Sequence, residues 1–163
     1  MTEASAWILS LASYSPPTKL WLAASAERDS NPPGEQGDQP HLEARSLRVL
    51  IVEDEFFISL HTKQLLQVLG HVVVGIAVSA EQAILFAEQE RPDVVLMDIR
   101  LNGSRDGIEA ADEIRQRSGI GSIFVTANTD PQTRQRALAS QPLGFLEKPL
   151  TEQRLKLGLS KAV

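Results

Sequence analysis

From Leu47 onward, short continuous apolar runs alternate with longer stretches in which apolar residues recur at helical spacing. "LRVLIV" is a β-branched run. "EFFISLHTKQLLQVLG" then places Phe56, Leu60, Leu65 and Leu69 near one helical face, with Gly70 as a stop. "HVVVGIA" reads as a second strand, and "SAEQAILFAEQE" as a helix opened by a serine cap. "DVVLMD" is a third strand, "GIEAADEIRQRS" a helix and "SIFVTA" a fourth strand. "DPQTRQRALAS" opens with Asp130 as cap and Pro131 at the first helical position. "GFLEK" is a short fifth strand, and "TEQRLKLGLSKA" a closing helix capped by Thr151. Strands that are apolar on both faces are buried by helices on both sides, as in a parallel sheet. With right-handed crossovers the pattern predicts an α/β, doubly wound, five-stranded parallel sheet, flavodoxin-like, in the order 2-1-3-4-5.

The first 46 residues lack this rhythm. Five of the nine prolines fall there, and "ERDSNPPGEQGDQP" is polar and turn-rich. Such a segment buries too little apolar surface to offset its ordering entropy. Ala26 to Ala44 therefore reads as linker or disorder, and residues 1–46 as an N-terminal extension preceding a domain at 47–163. "AWILSLASYSPPTKLWLAASA" carries two short apolar clusters with Trp7 and Trp21, and ends on an A-x-A-like Ala24-Ser25-Ala26. A secretory signal wants a basic start, whereas Glu3 comes early, no Lys or Arg precedes Lys19, and Pro16 and Pro17 break the apolar run.

Composition narrows the function classes. A net charge of −5 gives no basic footprint for nucleic acid. No apolar run reaches the ~18 residues of a membrane span. With no cysteine, disulfide and thiolate chemistry are excluded, which fits a reducing, cytoplasmic setting. His41, His61 and His71 show no metal-ligand spacing; His61 reads as a surface residue and His71 as a strand start.

The chemistry gathers at the carboxyl ends of the strands, where open α/β sheets bind ligands. Strand one ends on Glu53 and Asp54, strand three on Asp98, strand four on Thr126, and strand five on Lys148, followed by Pro149. Unpaired carboxylates packed together raise one another's pKa, and a divalent cation relieves that. Mg²⁺ takes hard oxygen ligands, including one or two carboxylates, and keeps waters that a phosphate can displace. Lys148 is a point charge for a phosphoryl oxygen, and the Thr126 hydroxyl can bond another. The set suits in-line phosphoryl transfer onto a carboxylate. Read one at a time, the same residues are ordinary: acids at a helix start, a turn aspartate, a strand threonine, a solvated lysine.

"VLIVEDE", "VVLMDIRLNGSRDG", "IFVTA" and "GFLEKPL" occur in one order and spacing, and in this Leu47 to Val163 resembles the receiver domain of bacterial two-component response regulators. The resemblance implies that Asp98 is the phosphoacceptor and takes its phosphoryl group from a sensor histidine kinase or a histidine phosphotransfer protein. It implies Mg²⁺ on Asp54, Asp98 and the backbone carbonyl of Arg100, with Glu53 acting through water. Thr126 and the Ala127 amide would receive phosphoryl oxygens, Lys148 would pair with the phosphate, and the Lys148–Pro149 bond would be cis. Phe145 matches the aromatic switch position. The chain would catalyse only its own phosphorylation and dephosphorylation.

Two departures from the family pattern stand out. The loop "RLNGSRDG" is one residue longer than the commonest form, with Gly103 and Gly107 pointing to a defined turn. Arg100 and Asn128 would flank the path of the hydrolytic water, so Arg100 is expected to alter the lifetime of the acyl phosphate. Fifteen residues follow Lys148, enough for one helix, which leads to the expectation of a stand-alone receiver. Its output would be a downstream protein target reading the face of the fourth helix, fifth strand and fifth helix, with homodimer formation through that face as a further expectation. Arg134, Arg136, Arg154 and Lys156 make this region locally basic.

Rival readings lack their residues. An aspartyl-nucleophile phosphatase wants a second Asp where Arg100 stands, a dinucleotide site wants G-x-G-x-x-G, and a flavin site wants a Ser/Thr-rich phosphate loop after strand one. The alternative that keeps the fold is a phosphorylation-independent interaction module, against which the intact Glu53, Asp54, Asp98, Thr126 and Lys148 argue.

Overall fold

The structure, a computed structural model, describes residues 45–127 and 130–162. Elements alternate along the chain as β1 (Arg48–Val52), α1 (Phe56–Val68), β2 (Val72–Ala77), α2 (Ala80–Glu90) and β3 (Val94–Asp98). They continue as α3 (Gly107–Ser118), β4 (Gly121–Thr126), α4 (Pro131–Ala139), β5 (Gly144–Glu147) and α5 (Glu152–Leu159). All strand pairs are parallel, in the order β2-β1-β3-β4-β5, as the apolar pattern predicts.

Alternate residues of each strand enter opposite cores, as the pleat requires. Leu50, Val52, Val95, Met97 and Phe124 pack under the small faces of α2 and α3, where alanines let the helices sit close. Val49, Ile51, Leu96, Ile123 and Val125 pack on the other side against Leu66 of α1 and Leu155 and Leu159 of α5. Thus α1 and α5 cover one face of the sheet, and α2 and α3 the other. No helix among the described residues is long and apolar enough to cross a membrane.

The helix ends carry their stop and start signals. Ser79 accepts from Gln82 N–H, Asp130 from Thr133 N–H, and Thr151 from Arg154 N–H. Gly70, at φ +81°, donates to Gln67 O while His71 N–H reaches Leu66 O, which closes α1 as a Schellman turn.

One helical face differs from expectation. In α1 the buried residues are Ser59, Thr62 and Leu66, while Phe56 is 70% exposed and Leu60 also faces solvent. Leu65 and Leu69 are partly buried. Small hydroxyl residues can enter the core because they satisfy themselves: Ser59 Oγ donates to Phe56 O and Thr62 Oγ1 to Ile58 O. Hydrophobicity alone therefore misplaces the buried face of this helix by part of a turn.

Arg45 and Ser46, read from sequence as the end of the extension, contact the fold. Arg45 pairs with Asp93 and Ser46 Oγ donates to Gly70 O. Residues 1–44, with Trp7, Trp21 and His41, lie outside the described residues, as does Asn128.

Candidate functional site

Parallel strands deliver their carboxyl ends to one edge. β1 runs out into Glu53 and Asp54, β3 stops at Asp98, β4 at Thr126, and β5 leads into Lys148. Lys148 N–H donates to Thr126 O at 2.9 Å, stitching the last two strand ends together, and the Lys148–Pro149 bond is cis. Behind Asp98 the chain doubles back through Gly107. A Cβ there would stand 1.8 Å from Asp98 O, so only glycine fits. Asp106, one residue earlier, caps α3 in a reciprocal box with Glu109.

The side chains converge. Lys148 Nζ lies 2.7 Å from Asp98 Oδ2 and 2.7 Å from Glu53 Oε2, with the lysine side chain only 13% exposed. Glu53, Asp54 and Asp98 each bring a carboxylate oxygen to within 4.8 Å of the others. Asp98 Oδ1 accepts the Arg100 N–H at 3.0 Å. Burial pushes the Glu53 carboxyl above its ordinary value and Asp98's charge adds to this, while Lys148 offsets only part. Burial by itself would lower the Lys148 ammonium, but Asp98 and Glu53 outweigh it and hold it above the usual lysine value.

The donor set suits a hard cation. It is all oxygen, with neither imidazole nor thiolate. Among the described residues, Glu53 Oε1 is buried with no hydrogen-bond partner, an acceptor left for a further group in the site. Thr126 is buried at the strand end and Ala127 is exposed beside it. Phe145, in register with Phe124, packs on that ring at 5.6 Å and lies under the Arg134 guanidinium at 4.7 Å. A groove of about 480 Å³ opens there, lined by Thr126, Ala127, Arg134, Phe145, Glu147 and Arg154 among others.

The family profile described as "Response regulator receiver domain" matches residues 49–159, more than half of the chain. This chain belongs to the response regulator receiver domain family. It is 35% identical over 104 residues to the transcriptional regulatory protein PdtaR of Mycobacterium tuberculosis, covering 64% of this chain and 50% of PdtaR. The signal receiver domain of a modulated diguanylate cyclase from Desulfovibrio desulfuricans G20 is 35% identical. It superposes with a TM-score of 0.69, over 72% of this chain and 94% of that one. The anti-anti-sigma factor PhyR of Bartonella quintana is 32% identical with a TM-score of 0.62, over 74% of this chain and 48% of that one. The chain spans about half the length of the curated relatives it matches. Receiver domains bind Mg²⁺ through an acidic pocket, and Glu53, Asp54 and Asp98 form an acidic cluster in this one.

The receiver's β3–α3 loop holds what the sequence reading missed. Asn102 turns its backbone N–H to Asp54 Oδ2 at 3.1 Å, and its side-chain Nδ2 bonds the same oxygen. Arg105 bonds Glu113 at 2.5 Å, and Asp106 takes Arg136 of α4 at 2.9 Å. An asparagine in a Gly-Ser-rich loop looks like turn chemistry, and no spacing rule points it at a residue 48 positions earlier. Gly103, at φ +135°, does mark the turn expected of it.

Proposed function

We propose that this receiver accepts a phosphoryl group on Asp98 and signals through a changed protein-binding face. The observation that carries the reading is Lys148 Nζ at 2.7 Å from Asp98 Oδ2, beside Glu53 and Asp54. An ammonium there can neutralise an incoming phosphoryl oxygen, and positioning with charge neutralisation is most of what phosphoryl transfer asks of a protein.

The donor is a phosphohistidine on a sensor histidine kinase or a histidine phosphotransfer protein. A carboxylate oxygen of Asp98 forms the new P–O bond as the P–N bond breaks; the electron pair stays on the imidazole, which takes a proton. Asp54, Asp98 and the Arg100 carbonyl would hold Mg²⁺, with Glu53 acting through water, and the ion would supply charge neutralisation. Lys148 exchanges part of its pairing with Glu53 and Asp98 for the phosphate. Thr126 and the Ala127 amide receive the other oxygens. The exposed Phe56–Phe57 pair, two residues beyond Asp54, offers the donor an apolar landing surface beside the site. The chemistry is confined to the chain's own aspartyl phosphate, with no second substrate turned over.

Output follows from the groove next to Thr126. As Thr126 moves toward phosphate, Phe145 shifts inward, and the α4–β5–α5 face presents a new surface. Leu138 and Leu157, both exposed, and the basic Arg134 and Arg154 give a downstream protein, or a second copy of the chain, its contacts. Residues 47–163 form the receiver and residues 1–46 an extension to it, in a cytoplasmic protein. Arg100, exposed beside Asp98, sets the lifetime of the acyl phosphate; an unchanged dephosphorylation rate in Arg100→Asn would remove it from that role.

The reading is tested by incubating the full chain with Mg²⁺ and a small phosphodonor. The wild type is expected to gain the mass of one phosphoryl group and Asp98→Asn none. Equal labelling of the two would contradict it.

A further inference from the structure

Asp54 sits at the open side of the acidic pocket and is less buried than Glu53 or Asp98. A half-exposed carboxylate turns easily about its last torsion. In this chain it is held: two donors of one residue, the backbone N–H and side-chain amide of Asn102, converge on Asp54 Oδ2. Both take the same oxygen, which leaves Oδ1 outside these two bonds.

The donor is itself anchored. Leu101 packs against the core formed under α2 and α3. On the other side of Asn102, Arg105 is tied to Glu113, and Asp106 to the α3 backbone and to Arg136. The loop therefore presents Asn102 from a fixed base, which is what an orienting group needs.

We propose that Asn102 is a positioning residue for the cation site: it fixes the Asp54 carboxylate by hydrogen-bonding one oxygen and leaves the other for Mg²⁺. A ligating carboxylate hydrogen-bonded from outside is the usual support for metal binding, and loss of such a partner typically weakens affinity ~10–100-fold. Because the backbone N–H survives substitution by alanine or leucine, the low end of that range applies here. The opposite arrangement, in which Asn102 competes with the cation for Asp54, makes the reverse prediction. The proposal rests on the reading of Glu53, Asp54 and Asp98 as a Mg²⁺ pocket.

The test is a calorimetric titration of the full chain with Mg²⁺ alone, without phosphodonor. Wild type binds, and both Asn102→Ala and the similarly sized Asn102→Leu are expected to bind about ten-fold more weakly. Their melting temperatures without Mg²⁺ stay within a few degrees of wild type, which separates orientation from unfolding. In the wild type, the Asn102 side-chain amide signals shift on titration and remain protected from solvent exchange. Unchanged or tighter binding in Asn102→Ala overturns the proposal while the pocket stands. No Mg²⁺ binding by the wild type overturns both.

Discussion

The two edges of the sheet handle charge in opposite ways. At the amino ends of the strands, donors and acceptors match. Asp93 takes the Arg48 N–H at 2.7 Å and the Arg45 guanidinium at 3.2 Å. Arg48 pairs with Glu90, and Leu47 N–H finds His71 Nδ1 at 3.2 Å. These groups are mostly solvated, and each contributes modestly. At the carboxyl ends, Glu53 and Asp98 share the ammonium of Lys148, Asp54 lies beside them, and a Glu53 oxygen is buried without a partner among the described residues. Both edges are built on the same strands, so the strain belongs to the residues placed there. Packing like charges is destabilising, and a fold keeps such a cluster where chemistry uses it.

The largest way to break this comparison is Lys148→Ala. It leaves Glu53 and Asp98 facing each other without a counter-charge and is expected to cost about 3 kcal/mol at neutral pH, the low end for a broken buried ion pair. Denaturant melts measure it, and Mg²⁺ should restore part of the loss. A cost no larger than that of a surface substitution would show that the carboxyl edge is not under electrostatic load.

Next comes the cation. Mg²⁺ at ten times its dissociation constant should stabilise the wild type by roughly 1.4 kcal/mol, read as a rise in melting temperature. Asp54→Ala should lose most of that rise. The matching substitution at the quiet edge, Asp93→Ala, should cost about 1 kcal/mol through its lost hydrogen bonds and leave the Mg²⁺ response intact.

The smallest effect is the pH dependence, and its sign differs between the edges. Burial holds His71 below its ordinary value. The unfolded chain then binds more protons near pH 6.5. Stability from this group is present above that pH and lost as pH falls through the folded value. Glu53 is raised. Its contribution is present below its unfolded value and is lost as pH rises through the folded one. Replacing His71 with Gln should flatten the decline of stability below pH 6.5, and Glu53→Gln the decline on the way up toward neutrality, both followed by urea midpoints against pH.

The carboxyl edge was also the legible one. Continuous apolar strands ending on Asp98, Thr126 and Lys148 predict both the sheet and the convergence of its ends, because parallel topology carries separated residues to one place. The buried face of α1 was not legible, since Ser59 and Thr62 enter the core through local hydroxyl bonds that hydrophobicity does not record. Asn102 was equally hidden. Its partner, Asp54, is reached only once the loop after β3 has folded over the end of β1.

The most direct test of convergence is peptide mapping of the chain after exposure to a small phosphodonor, with Mg²⁺ and with the metal chelated. The expected result is a single modified residue, Asp98, labelled in the presence of Mg²⁺ and not after chelation. Labelling elsewhere, or at Asp98 to the same extent without the cation, would contradict the account.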